Sequence, residues 1–288
     1  MSFIKKISIG TAQFGLDYGV KNLTGQINFP DAKKIINEAY RNNIRSIDTA
    51  ASYGNAETIL GELETNKFDI TTKLIRLPYD EKKVEKWVFE QVEMSLTKLN
   101  RDVISGILIH DPEILRTDEG KKIFSTLRLA KKKNLIQDIG VSIYHLKDLP
   151  ELIEEFEIDI VQAPFNVFDR RLEREGWIDE LDNKEIKIQV RSVFLQGLML
   201  MEIEELKKDF NSWIEIFEEW KDWLKKNNLT SYEACLVFIE KFSKIDKVII
   251  GLDSIEQFKM LLNHCKSAKR RYEIPEIFTN DLDLIDPL

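Results

Sequence analysis

The sequence predicts an α/β fold of the (β/α)8 TIM-barrel class, and three observations carry that prediction. Short apolar, β-branched runs alternate with longer amphipathic segments along the whole length. Several of those runs close on a polar residue suited to chemistry, at the downstream end where a parallel barrel gathers its loops. The competing architecture, an open doubly wound sheet, requires a Gly-rich turn after the first strand, and Gly10-Thr11-Ala12-Gln13-Phe14-Gly15 has the wrong spacing for one.

Taken in order, the first strand reads at Lys6–Gly10; its apolar run, Ile7-Ser8-Ile9-Gly10-Thr11, is too short for a signal sequence despite Lys5 and Lys6 before it. A helix at Asp31–Asn43 leads to the second strand, Ile44–Asp48, and a helix at Ala56–Thr65 to the third, Phe68–Thr72. The helix Lys82–Leu99 precedes the fourth strand, Val103–Ile109, after which His110 meets the turn signal Asp111-Pro112. The helix Asp118–Asn134 ends in Lys131-Lys132-Lys133, cations placed where the helix dipole favours them. Strand five (Ile136–Val141), a helix at Leu146–Phe156, strand six (Asp159–Gln162), a helix at Arg171–Asp182 and strand seven (Ile186–Arg191) continue the alternation. Helices follow at Trp213–Asn227 and Ser231–Phe242; Trp213, Trp220 and Trp223 fall at helical intervals and read as packing. Strand eight (Lys247–Ile250) and a helix at Ser254–Lys266 complete the pattern. Uniform composition with scarce Gly and Pro leaves no linker, so residues 1–288 read as a single domain.

The 288 residues suit one barrel of roughly 250 residues. With 43% hydrophobic and 32% charged residues, the composition is that of a globular protein. A net charge of -8 argues against a nucleic-acid surface, and the basic cluster Lys269-Arg270-Arg271 reads as a solvated helix end. No apolar stretch reaches the roughly 18 residues of a membrane span. Cys235 and Cys265 have neither metal nor redox spacing, which suggests a cytoplasmic protein with reduced thiols. No His, Cys and carboxylate set has ligand spacing, so no metal is expected.

Four strand-end residues combine into a chemistry. Tyr53 follows Asp48 in a short turn, Lys73 follows the third strand and His110 the fourth. A tyrosine, with a free pKa of about 10, needs help to release its proton near neutral pH. An adjacent lysine ammonium gives that help by stabilising the phenolate, and an aspartate would hold a buried lysine charged. A neutral imidazole could orient a carbonyl oxygen. Together they read as an acid catalyst for carbonyl chemistry.

The stretch from Asn43 to Glu57, NIRSIDTAASYGNAE, resembles the signature of the aldo-keto reductases, NAD(P)H-dependent barrel enzymes, and Lys73 and His110 fall where that family's other two catalytic residues fall. The resemblance implies a catalytic tetrad of Asp48, Tyr53, Lys73 and His110, with Tyr53 as proton donor. It also implies that Ser142 and Gln162 hold the nicotinamide carboxamide, and that Ser192-Val193-Phe194-Leu195-Gln196-Gly197 forms the pyrophosphate-side loop. Gly251, Asp253, Ser254 and Gln257 would lie on the adenosine side. The sequence departs from the family in several places. Ile143 follows Ser142 where Asn is common, and Met260 and Leu261 replace a polar pair that often contacts adenine. Arg191 stands where an aromatic ring usually stacks on the nicotinamide; a guanidinium there could stack in its place or pair with a substrate anion. The cofactor implied is NADP(H) or NAD(H). Asp253, with no Arg or Lys beside it, would repel a 2′-phosphate and makes NADH plausible.

Phe14 and Tyr18, in the loop after the first strand, are candidates for an apolar substrate wall, with packing beneath the loop as the equal alternative. The short acidic tail Tyr272–Leu288 offers little material for the long specificity loop of steroid-active aldo-keto reductases, so the resemblance implies a small or polar substrate. The leading functional expectation is reduction of an aldehyde or ketone, possibly sugar-derived. A nucleotide-binding regulatory protein of the same fold, or a sugar dehydrogenase or epimerase, would use the same residues differently. The partner expected is a small-molecule carbonyl compound; oligomeric state is not legible.

Overall fold

Eight strands close into a parallel barrel in strict chain order: β1 (Ile7–Gly10), β2 (Ser46–Asp48), β3 (Asp69–Leu74), β4 (Ile104–Ile109), β5 (Ile136–Ser142), β6 (Ile160–Pro164), β7 (Lys187–Arg191) and β8 (Lys247–Gly251), with β8 pairing back to β1. The computed structural model describes residues 2–19, 25–78, 82–266 and 272–285. All eight expected strands are present, and none differs from its expected bounds by more than two residues.

The strands interleave two kinds of residue, and the barrel separates them. Ile7, Ile9, Ile47, Ile70, Ile107, Ile109, Ile139, Val141, Val161, Ile188, Val190, Val248 and Ile250 belong to the large apolar core shared with the surrounding helices. Residues of the other parity meet inside the barrel. There Ser46 Oγ donates to Ser8 Oγ at 3.0 Å. A Cβ placed on Gly106 would sit 3.0 Å from Ile160 Cδ1 and 3.3 Å from Thr71 Oγ1. The lumen is therefore filled by small and polar side chains together with Leu108, Ile160 and Ile249, and its upper layer is available for chemistry.

The helices follow the expected order with local differences. The segment expected as one helix at Arg171–Asp182 is two, Arg171–Arg174 and Trp177–Asn183, because Gly176 between them adopts a left-handed φ of 80°. Helix Ile203–Asp209 was not anticipated; its start is fixed by a capping box in which the Glu202 and Glu205 side chains exchange bonds with each other's backbone. The Trp-bearing helix spans Ile214–Asn227, with Trp220 fully buried and stacked on Trp223 at 5.3 Å between centroids, as packing predicts. The basic cluster Lys269-Arg270-Arg271 lies outside the described residues. No helix among the described residues is long and apolar enough to cross a membrane.

Candidate functional site

A cavity with an empty volume of about 1130 Å³, open mouth included, sits over the downstream ends of the strands. Asp48, Tyr53, Lys73 and His110 line its inner end together with Ser142, Gln162 and Arg191.

A continuous polar network forms the base. Lys73 Nζ donates to Asp48 Oδ2 at 2.7 Å and to the Thr49 carbonyl at 2.9 Å, and the Lys73 and Asp48 side chains are only 1% and 5% exposed. The other Asp48 oxygen accepts from Gln162 Nε2 at 2.7 Å, and Gln162 Nε2 also reaches Gln189 Oε1 at 3.2 Å. Ser142 Oγ lies 3.5 Å from Gln162 Oε1. Burial pushes the Lys73 pKa down, and the Asp48 carboxylate beside it opposes that shift.

Tyr53 stands above this pair. Lys73 Nζ is 5.2 Å from the centre of its ring, and the His110 ring meets it edge-on at 6.3 Å and 80°. Burial drives the phenol pKa well above its ordinary value, Asp48 adds to the rise and Arg191 counters it. His110 is pushed down to about 4, chiefly by burial and then by the positive charges of Lys73 and Arg191, so its imidazole is neutral at physiological pH.

That shift has a consequence for stability. Below the unfolded-state pKa of about 6.5 the unfolded chain takes up a proton that folded His110 refuses, so its contribution is lost as pH falls from 6.5 through 4. A His110→Gln variant should lose less stability than the parent over this window, by on the order of 1–3 kcal/mol. Urea unfolding at pH 7.0 and 4.5 measures the difference; identical pH dependence in the two proteins would show that His110 is not held neutral.

The turn that carries Tyr53 is fixed by backbone contacts. Ala51 N donates to the Lys73 carbonyl at 3.1 Å, tying the turn to the end of β3. A Cβ on Gly15 would fall 1.8 Å from the Tyr53 carbonyl oxygen, and one on Gly54, whose φ is 53°, would fall 2.3 Å from the Gly15 oxygen. The two backbones touch because neither residue has a side chain.

The outer part of the cavity is built from the β7 and β8 loops. Ser192, Gln196 and Gly197 line it with positive φ values of 57°, 53° and 99°, and Phe194 stacks on Tyr232 at 4.7 Å and 19°. Gly251, Asp253 and Gln257 line its far end; Gln257 Nε2 donates to Asp253 Oδ2 at 2.9 Å, and Asp253 N donates to Gln257 Oε1 at 3.0 Å. Ser254 does not line the cavity: its Oγ accepts from Gln257 N at 3.2 Å and starts the helix Ile255–Lys266. The substrate wall divides the same way. Tyr18 lines the cavity and is 38% exposed, whereas Phe14 is fully buried in the apolar core and does not reach it, which corrects the expectation for that residue.

Residues that sequence reasoning missed complete the lining. Tyr144 lines the cavity from the loop just past Ser142, whereas Gln189, two positions before Arg191 on β7, lies beneath it and accepts from Gln162 Nε2. Gln13 opens the loop after the first strand that is expected to line the barrel mouth, whereas Tyr232 gave no local signal. The buried atoms Gln13 Oε1, Gln196 Oε1 and Tyr232 OH have no hydrogen-bond partner, and all three residues line the cavity. Orphaned buried polar atoms around an open space suit a polar occupant such as a dinucleotide.

Comparison with known proteins places this geometry. The aldo/keto reductase family model matches residues 6–279. The chain is 27% identical over 249 residues to the uncharacterized oxidoreductase YqkF of Bacillus subtilis, covering 79% of this chain and 80% of that one. It is 25% identical over 304 residues to the NADH-specific methylglyoxal reductase of Escherichia coli, covering 89% and 92%. The holo form of aldo-keto reductase AKR11C1 from Bacillus halodurans superposes with a TM-score of 0.74 at 18% identity, over 92% of this chain and 88% of that one, and shares the barrel. With its strand-end residues gathered at the mouth of a closed eight-stranded barrel, this chain belongs to the aldo/keto reductase family and is an NAD(P)-dependent oxidoreductase.

Proposed function

We propose that the protein reduces small aldehydes or ketones with NADH, and that Tyr53 donates the proton. The observation that carries this reading is the buried Lys73–Asp48 pair beneath Tyr53, with a neutral His110 beside the ring. The nicotinamide, when bound, supplies the hydride. Ser142 and Gln162, which line the cavity, would hold its carboxamide, and the orphaned Gln13 and Gln196 oxygens would meet polar groups further out. His110 donates a hydrogen bond to the carbonyl oxygen and fixes its orientation. As that oxygen gains negative charge it takes the Tyr53 proton, and the Lys73 ammonium stabilises the phenolate left behind. Burial alone makes Tyr53 a weaker acid, so the ammonium has to act at the moment of transfer.

NADH is favoured over NADPH at the far end of the cavity. Lys73 and Arg191 are the cations among its described lining residues, and both lie at the inner end. Asp253 presents a carboxylate there instead, and the NADH-specific relative supports the same preference. Titrations followed by tryptophan fluorescence should give an NADH Kd at least about tenfold below that of NADPH, a difference of roughly 1.4 kcal/mol. Asp253→Ser should narrow the gap. Equal affinities would remove the NADH assignment, and failure of both nucleotides to bind would remove the reductase assignment. Tight NADH binding with no turnover across a panel of carbonyl compounds would point to a nucleotide-binding regulatory protein. A cytoplasmic setting fits a buried, reduced thiol: burial pushes the Cys235 pKa up to about 12.

A further inference from the structure

Arg191 is the one part of the inner site whose charge the mechanism above does not use. Its guanidinium lines the same cavity end as Tyr53, Lys73 and His110. Nη2 donates to the Ile143 carbonyl at 3.1 Å, Nη1 donates to Ser192 Oγ at 3.2 Å, and the Tyr144 ring lies 4.0 Å from the guanidinium carbon. These contacts aim the group at the β5 loop and hold it there, and all of them are neutral. No carboxylate among the described residues forms an ion pair with it. Asp48 already pairs with Lys73 and with Gln162.

The formal charges at this end are Lys73 and Arg191 against Asp48, with Tyr53 and His110 uncharged. One positive charge is left over, in a partly buried position where an uncompensated ion is costly. The Arg191 field also reaches the reacting groups, since it lowers the pKa of Tyr53, Lys73 and His110 alike. A neutral aldehyde would leave that charge unmatched.

Building on the reductase function proposed above, we infer that Arg191 selects carbonyl substrates that carry an anionic group, a carboxylate above all. A carboxylate can take two of the guanidinium N–H groups, while Tyr144 covers the adjoining side. Two other sources of anion or π surface compete for the same side chain, the cofactor's pyrophosphate and its nicotinamide ring, and the experiment separates them.

Two probe pairs of matched skeleton, succinic semialdehyde with butanal and 4-carboxybenzaldehyde with benzaldehyde, are assayed with NADH on the parent, Arg191→Gln and Arg191→Lys. The parent should favour the anion of each pair in kcat/KM. Arg191→Gln should cut that preference by about 10- to 100-fold, mainly through KM for the anion, and Arg191→Lys should keep part of it. No preference in the parent, or a preference that survives in Arg191→Gln, would overturn the inference. So would an Arg191→Gln defect that is entirely a rise in the NADH Kd, because that would assign the residue to the cofactor. Should the chain turn over no carbonyl compound, the reductase function fails by itself. Titration of the NADH-loaded protein with benzoate against benzamide then still decides the inference: benzoate-selective binding lost in Arg191→Gln supports it, and its absence from the parent overturns it.

Discussion

Tyr53→Phe is expected to lower kcat by about 10²- to 10⁴-fold while leaving the NADH Kd within a factor of about two. The ring remains, so its packing against His110 and the face it offers to Lys73 are kept, and the proton alone is lost. Because the effect falls on the chemical step, kcat and kcat/KM should drop together, and rapid-mixing single turnovers should show a slow hydride step. The wild-type phenol is held protonated well above the ordinary range, so its own ionisation should leave no limb in the pH–rate profile between pH 6 and about 9. Turnover in Tyr53→Phe at anything near the wild-type rate would move the acid role elsewhere, with His110 the first place to look.

The second large effect belongs to the base of the site and should be felt in stability as well as rate. Lys73→Met leaves the Asp48 carboxylate buried, with Gln162 as its remaining side-chain donor, and an uncompensated buried charge of this kind costs on the order of 3–5 kcal/mol. In a chain of this size the melting temperature should fall by roughly 10 °C. The single variant should also lose most of its activity, since the phenolate loses its counter-charge. Adding Asp48→Asn removes the orphaned charge, so the double variant should recover most of the melting temperature and none of the rate. That split separates a structural pair from one that also serves catalysis. A double variant that stayed as unstable as Lys73→Met would mean that packing, and not charge, is what the pair supplies.

Strand positions were legible because a barrel strand buries one parity against the helices, and β-branched residues at every second place announce it: Ile7 and Ile9, Ile107 and Ile109, Ile188 and Val190. The inner site was legible for a related reason. Asp48, Lys73 and His110 break the apolar pattern at a strand end, and the topology carries strand ends to one face. What periodicity could not show were contacts between distant elements. The Tyr232 ring reaches the cavity from a helix that follows β7, and nothing around it in the sequence marks that destination. Phe14 shows the opposite limit: an aromatic in a loop is equally at home facing a ligand or plugging the core, and here the short helix Ala12–Gly15 turns it inward. The split between Arg171–Arg174 and Trp177–Asn183 was readable only from the backbone angle of Gly176, a freedom that glycine permits without requiring it.

The contact between Gly15 and the Tyr53–Gly54 turn has a consequence for how such a chain can change over time. Two loops that are far apart in sequence share a seam with no room for a methyl group, so neither can be rebuilt without shifting the other. Novelty in what the protein accepts therefore has to come from segments that do not cross this seam: the ends of β5 and β7, where Tyr144 and Arg191 meet, and the loop that leads to Tyr232. Tyr53, the proposed acid, is locked to the scaffold at its backbone, while the segments that carry Arg191, Tyr144 and Tyr232 are free to drift around it.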